Sequence, residues 1–283
     1  MHGQRLPSPS IDCGLLEHLL ASLPGWKRLR VKELLKSGRV HVNGRSYSRH
    51  DAKVSPGDEV EIRDQVEAAG RSFPYPVLYE DKWLIAINKP NGLLTVATAY
   101  EKAQTAYARV NRALAAYRER AFVVHRLDRY TSGVLLFAKT EDAQAVVEKN
   151  WGKASKVYYA LVEGSPRGET GRLEHYLKEN DRLVMKAYDR PMPGAVRASL
   201  SWKRVASSET NSLLRIQLET GKKNQIRAQL AALGYPIAGD RKYGAQTDPL
   251  GRLALHAAQL ELPHPKTGYM VLIEAPLPSG FAL

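Results

Sequence analysis

The sequence predicts an α+β protein in two parts: a small N-terminal module of short helices and hairpin strands, and a larger domain with a mixed, mainly antiparallel central sheet flanked by helices. Three observations predict it. The strand-like runs after residue 77 do not alternate with crossover helices, which argues against a doubly wound parallel sheet. Leu214, Ile216 and Leu218 alternate with Arg215, Gln217 and Glu219, the pattern of a sheet with one covered and one wetter face. Residues 64–76 hold Gly70, Pro74 and Pro76 without apolar periodicity and read as a linker.

Composition bounds the function. The 283 residues, 43% of them apolar, suffice for one large core plus an accessory module. Lys and Arg number 42 against 29 Asp and Glu, a net charge of +13, which argues for a polyanionic partner: nucleic acid first, an acidic membrane surface second. A single cysteine, Cys13, excludes an internal disulfide and a cysteine-based zinc site. No apolar run approaches the roughly 18–20 residues of a membrane span. The opening MHGQRLPSPS lacks the apolar core of a signal peptide. A cytoplasmic protein is expected, with no membrane association and no obligate protein partner evident. Neither G-x-G-x-x-G nor G-x-x-x-x-G-K-[ST] occurs, so no nucleotide cofactor is implied.

Residues 1–12, with Pro7 and Pro9, read as a loose arm. Leu15, Leu16, Leu19, Leu20 and Leu23 have helical spacing, with Pro24-Gly25 as the stop. A second short helix is expected from about Leu29 to Lys36. Val40 to Val42 followed by Asn43-Gly44 is a strong hairpin signal. Pro56-Gly57 makes a turn before a strand over 59–62. Charge here is one-signed: Lys27, Arg28, Arg30, Lys32, Lys36, Arg39, Arg45 and Arg49 face Glu33 alone between residues 26 and 49. A charge run is usually a solvated face, but on so compact an element it favours a surface that tracks phosphates. The stretch Val31 to Gly44, with Pro56-Gly57-Asp58-Glu59-Val60, resembles the small αL RNA-binding module first known from a ribosomal protein, the S-four module. The resemblance implies an RNA-binding module over 13–63.

The larger domain is expected over 77–283. It opens with a strand from Trp83 to Asn88, ended by Lys89-Pro90-Asn91-Gly92, and a helix within 103–117. Phe122 to Val124 and Val134 to Ala138 read as buried strands around a polar turn. That turn holds Asp128 between Arg126 and Arg129. A carboxylate among buried strands is costly unless paired, so the turn is either a structural ion-pair site or a functional one. Thr140 can cap a helix whose first turn carries Glu141 and Asp142. Further strands are expected at 156–164, 183–188, 196–205 and 213–219. A helix follows from about Asn224 to Leu233, with Ile226, Leu230 and Leu233 on one face, Arg227 near its start and Gly234 as its stop. His256 and His264 lack a third ligand at a recognisable spacing, so no metal site is expected.

His125-Arg126-Leu127-Asp128-Arg129-Tyr130-Thr131-Ser132-Gly133 resembles the H-R-L-D-x-x-T-S-G signature of the RluA-like RNA pseudouridine synthases. Further matches are Asn88 to Leu93, the strand with Lys156, Tyr158 and Ala160, and the block Thr220-Gly221, Gln225-Ile226-Arg227, Gly239-Asp240 and Tyr243-Gly244. The close matches too, through Leu253 to Ala257 and His264 to Gly268. The resemblance implies isomerisation of specific uridines in structured RNA, ribosomal RNA favoured and transfer RNA possible, without cofactor or metal. It makes Asp128 the nucleophile, Arg227 the arginine that pairs with it, and Tyr158 the tyrosine that stacks on the uracil. Arg126, Arg129, Lys222 and Lys223 are expected to face RNA, with Arg126 or a neighbour filling the gap left by a swung-out base. Lys222, Asn224, Gln229 and Tyr130 depart from the pattern. None of them falls on Asp128, Tyr158 or Arg227, and they bear on substrate identity. A binding protein with a decayed enzyme domain would not keep those three. A methyltransferase would need a glycine-rich loop that Ile87 to Pro90 does not supply.

Overall fold

A computed structural model describes residues 4–36, 39–47, 52–62, 73–98, 101 and 103–281. The chain divides into two compact units, residues 1–71 with 79–82, and residues 72–78 with 83–283.

The first unit holds β1 (Gln4–Arg5), β2 (Cys13–Gly14), α1 (Leu15–Ser22), α2 (Arg28–Lys36), β3 (Val40–Val42), β4 (Arg45–Ser46), β5 (Lys53–Val54) and β6 (Val60–Ile62). One sheet has the order β1-β6-β3-β4, and β2 pairs with β5. Asn43 and Gly44 both take positive φ, 52° and 78°, as a two-residue turn joining β3 to β4 requires. Asn43 also clamps the neighbouring turn. It donates to Asp58 Oδ1 at 2.7 Å and accepts from the Glu59 N–H at 2.9 Å. The leucine spacing of α1 and the apolar positions of α2 meet in one core, where Leu15, Leu19, Val31, Leu35 and Val40 are fully buried. Gln4 and Arg5, inside the stretch expected to be loose, pair with Ile62 and Glu61, and Leu6 is buried. The outer edge of β6 offers unpaired backbone groups, and this segment satisfies them. The expected linker falls mostly on residues 64–72, outside the described residues.

After β7 (Val77–Glu80), the second unit contains β8 (Leu84–Lys89), α3 (Ala106–Ala115), β9 (Phe122–Val123), β10 (Ser132–Ala138), α4 (Glu141–Lys149), β11 (Ser155–Glu163), β12 (Thr170–Glu179), β13 (Met185–Tyr188), β14 (Val196–Ser207), β15 (Asn211–Leu218), α5 (Gln225–Ala232), β16 (Leu255–Pro263) and β17 (Met270–Glu274). The sheet runs β13-β12-β14-β15-β11-β16-β10-β8, with β17 on β16 and β9 on β10. β10 lies parallel to β16. The pairs β8–β10, β11–β15, β11–β16, β12–β14 and β14–β15 are antiparallel. The sheet is therefore mixed and mainly antiparallel.

Three features of this frame place the polar turn. β10 is buried at every position, so the turn before it is anchored to the sheet centre. Gly133 has φ 112°, and a Cβ there would sit 2.0 Å from the Ala257 carbonyl oxygen. Only glycine allows β10 to close on β16 beside the turn. The third feature is Lys89, whose side chain is fully buried. Its ammonium donates to the carbonyls of Pro90, Leu93 and Arg129 at 2.9, 2.8 and 3.0 Å. It thereby ties the loop after β8 to the turn.

α4 is capped as its sequence requires: Thr140 Oγ1 accepts from the Ala143 N–H at 3.1 Å. α5 is buried more widely than a single apolar face. Gln225, Arg227 and Gln229 are inside along with Ile226, Ala228 and Leu230, while Leu233 is exposed.

Candidate active site

The turn 125–131 opens onto a cleft of about 500 Å3. Asp128 and Arg126 come from the turn, Tyr158 from β11, Lys222 to Asn224 from the loop after β15, and Arg227 from α5. β11 changes register against β16 between Val157 and Tyr158. Such a bulge re-aims a side chain, and here it lies at the tyrosine that lines the cleft.

Arg227 reaches two carboxylates. Nε and Nη2 donate to Asp240 Oδ2 and Oδ1 at 2.6 and 2.7 Å, and Nη1 lies 3.6 Å from Asp128 Oδ2. The Arg227 and Asp240 side chains are 9% and 2% exposed, against 29% for Asp128. The ring of Tyr243 packs 4.8 Å from the guanidinium carbon. The pairing expected between Arg227 and Asp128 is thus the longer of two contacts. Asp240, not Asp128, is the carboxylate that fixes the guanidinium in place.

Burial pushes the Asp128 carboxyl above the usual carboxylate range. Arg227 opposes that push, Asp240 adds to it, and Lys89 opposes it more weakly. Burial and the Asp128 charge raise the Tyr158 hydroxyl, so it stays protonated. Burial lowers the Lys89 ammonium to about 7, against the upward pull of Asp128. Three carbonyl acceptors suit the three donors of its charged form. His125 is pushed down to about 3 by burial, and its Nε2 accepts from the Leu136 N–H at 2.9 Å. It stacks on Trp151 at 4.9 Å as a neutral wall of the cleft.

The structure brings Asp128, Tyr158 and Arg227 to one cleft, with Arg126, Arg129, Lys222 and Lys223 also lining it. Arg126 and Arg129 are exposed. Arg129 Nε donates to the Gly92 carbonyl at 3.0 Å, and Lys223 pairs with Glu179. In the first unit Lys27, Arg28 and Arg30 are exposed on or beside α2, with the Arg30 guanidinium 3.8 Å over the Trp26 ring. Lys32 and Arg39 are half-buried, and the Lys36 side chain lies outside the described residues. His256 Nδ1 bonds Ser132 Oγ at 2.8 Å, and His264 Nδ1 accepts from the Lys266 and Thr267 N–H groups. Sequence reasoning gave no role to Asp240, Tyr243 or Lys89. The available signal was chemical: a buried arginine and a buried lysine each need acceptors.

A sequence model of RNA pseudouridylate synthases matches residues 83–232, the segment that carries Asp128, Tyr158 and Arg227. The chain belongs to the RNA pseudouridylate synthase family. It is 32% identical to an uncharacterized RNA pseudouridine synthase of Bacillus subtilis, over 88% of this chain and 85% of that one. It is 31% identical to ribosomal large subunit pseudouridine synthase D of Yersinia pestis, over 93% and 87%. The structure of human RNA pseudouridylate synthase domain containing 4 superposes with a TM-score of 0.61 at 26% identity, covering 72% of this chain and 89% of that one. The mixed sheet described above is therefore the pseudouridine synthase architecture, and this enzyme is an RNA-modifying isomerase.

Proposed function

We propose that the enzyme isomerises specific uridines of structured RNA, ribosomal RNA in the first place, with Asp128 as the nucleophile. The observation that carries this reading is a half-buried carboxylate in a cleft lined by Tyr158 and Arg227. The reaction breaks the bond between N1 of uracil and C1′ of ribose and forms one between C5 and C1′. N1 takes up a proton and C5 loses one to solvent, so no redox step is involved. A carboxylate nucleophile divides such an exchange into two easier steps. Arg227, itself clamped by Asp240, offsets the burial of the Asp128 charge. Tyr158 stacks on the uracil; its hydroxyl is protonated at rest, so it takes up the C5 proton only by passing its own proton on to solvent in the same step.

A uridine inside a helix cannot bring its glycosidic bond to Asp128, so the target nucleotide swings out into the cleft. Arg126, exposed beside Asp128, fills the vacated stack. The relative from Yersinia pestis, named as a ribosomal large subunit enzyme, supports ribosomal RNA as the substrate.

Tritium release from ribosomal RNA transcribed with uridine labelled at C5 tests the reading. Release in step with pseudouridine formation is expected. Tight binding without release would leave a binding protein.

The first unit is the RNA-binding module in this reading, and Lys27, Arg28 and Arg30 contact phosphates. Replacing all three by alanine is expected to make the negative slope of log K against log salt shallower by about 2–3, since each phosphate contact contributes roughly 0.7–0.9. The rate at saturating RNA should stay near wild type. Filter binding across a salt series reads the first effect, and an unchanged slope would remove this surface from the interface.

A further inference from the structure

Asn224 is the N-cap of α5, yet it makes no capping bond. An asparagine in that place ordinarily turns its side chain onto the helix N–H groups. Here the backbone is left-handed, φ 50° and ψ 24°, a conformation asparagine tolerates better than most residues. The side chain points elsewhere. With its nitrogen toward Asp128, the amide donates to Oδ2 at 2.8 Å and to Oδ1 at 3.1 Å, and its oxygen accepts from the Tyr243 hydroxyl at 3.1 Å. The opposite orientation would set the amide oxygen against the carboxylate. The Tyr243 oxygen in turn accepts the Met185 N–H at 3.2 Å, which leaves its own hydrogen for Asn224. One chain of donors therefore runs from the backbone of β13 through Tyr243 and Asn224 to Asp128.

We propose that Asn224 is the positioning residue of the nucleophile, holding the Asp128 carboxylate ionised and aimed, and that Tyr243 fixes the orientation of its amide. The inference rests on the reading of Asp128 as the reacting group. Arg227 and Asp240 act on Asp128 from α5 and the segment after it and Lys89 from β8, while Tyr158 on β11 feels the Asp128 charge. Arg227 spends its two short bonds on Asp240 and keeps 3.6 Å from Asp128. Asn224 therefore supplies the shorter contact to the nucleophile, and a neutral one. A neutral donor stabilises the carboxylate without forming an ion pair that would hold the nucleophile back from the substrate.

The decisive variant is Asn224→Gly, because glycine accepts the left-handed backbone and removes only the amide. Hydrogen bonds to a charged group typically lower its pKa by one unit or more. The acid limb of the kcat profile is thus expected to move up by about one pH unit, about tenfold in rate below it, with KM little changed. Asn224→His restores an N–H donor and should bring the limb back toward wild type. Asn224→Asp, which sets a second carboxylate against the first, should move it further up. Tyr243→Phe keeps the ring over Arg227 and loses the hydroxyl, so a smaller shift in the same direction is expected. The Asp128 carboxyl carbon-13 titration, assigned by its loss in Asp128→Asn, reads the same effect in the free protein. An upward shift in Asn224→Gly supports the proposal. An unmoved titration and an unmoved acid limb would overturn it. If wild type released no tritium, the reading of the reaction would fall, while the titration would still decide what Asn224 does.

Discussion

Asp128→Asn is expected to release no measurable tritium from C5-labelled RNA, at least about 10^3-fold below wild type, as removal of a nucleophile does elsewhere. It should bind the same RNA with unchanged affinity, because the cationic rim of the cleft is untouched. Asparagine keeps the shape and one acceptor oxygen, so the change removes the charge and one of the two acceptors that Asn224 reaches. Stability supplies an independent check. Burial raises the Asp128 pKa in the folded chain. The folded chain then holds that proton more tightly than the unfolded chain does. Ionising the group therefore costs stability as pH rises from the unfolded value through the folded one. At neutral pH the wild type bears that cost and the variant does not. The variant should accordingly melt no lower than wild type at pH 7, and its advantage should shrink as pH falls through the folded value. A dead enzyme of undiminished stability is what a strained catalytic group predicts. Release near the wild-type rate would move the chemistry to another residue.

The parts of this molecule legible in its sequence are those where one residue type answers a local demand. The turn before β10 stands out because two apolar runs bracket a charged one. Asn43-Gly44 marks a hairpin because two positive φ values are needed there. β12 escapes the same reading. Its inward residues are Leu173, His175 and Leu177, and the histidine breaks the apolar alternation. β17 escapes because its run Met270 to Ile273 is apolar without alternation, although only Ile273 is buried while Met270 and Leu272 lie exposed. In α5 the sequence shows one apolar face, but Gln225 and Gln229 are also inside. Gln225 donates to the Ser199 carbonyl at 3.0 Å and Gln229 to that of Ala198 at 3.2 Å. Buried amides that find β14 carbonyls cannot be told from surface amides by periodicity. Asn224 read as a departure bearing on substrate, whereas its amide faces Asp128. That contact joins two loops 96 residues apart in sequence, and spacing carries no trace of it.

Asp240→Ala should be the most damaging change to stability among the residues around the cleft, although Asp240 touches no substrate in the proposed mechanism. The Arg227–Asp240 pair is bidentate and nearly sealed from solvent, with side chains 9% and 2% exposed. Removing one partner of such a pair strips the buried charge of its bidentate acceptor and costs about 3 kcal/mol, the low end of the roughly 3–5 kcal/mol range, because Asp128 stays within reach. For a unit of this size that is a fall of roughly 10 °C in melting temperature. Asp240→Asn keeps an acceptor without the charge and should fall between the variant and wild type. The change also redirects Arg227. With Asp240 gone, Asp128 is the remaining carboxylate within its reach, 3.6 Å away before any movement. The Asp128 pKa should then drop, since a repelling charge leaves and an attracting one closes in. A nucleophile held in a full ion pair is also less available to react. Asp240→Ala is therefore expected to lose rate while the acid limb of its profile moves down, opposite to the shift expected when the Asn224 amide is removed. Equal melting temperatures for Asp240→Ala and wild type would show that Arg227 is held by something other than this pair. A limb that moved up would show that Arg227 had turned away from Asp128, and that Asp240 is what keeps the arginine within reach of the nucleophile.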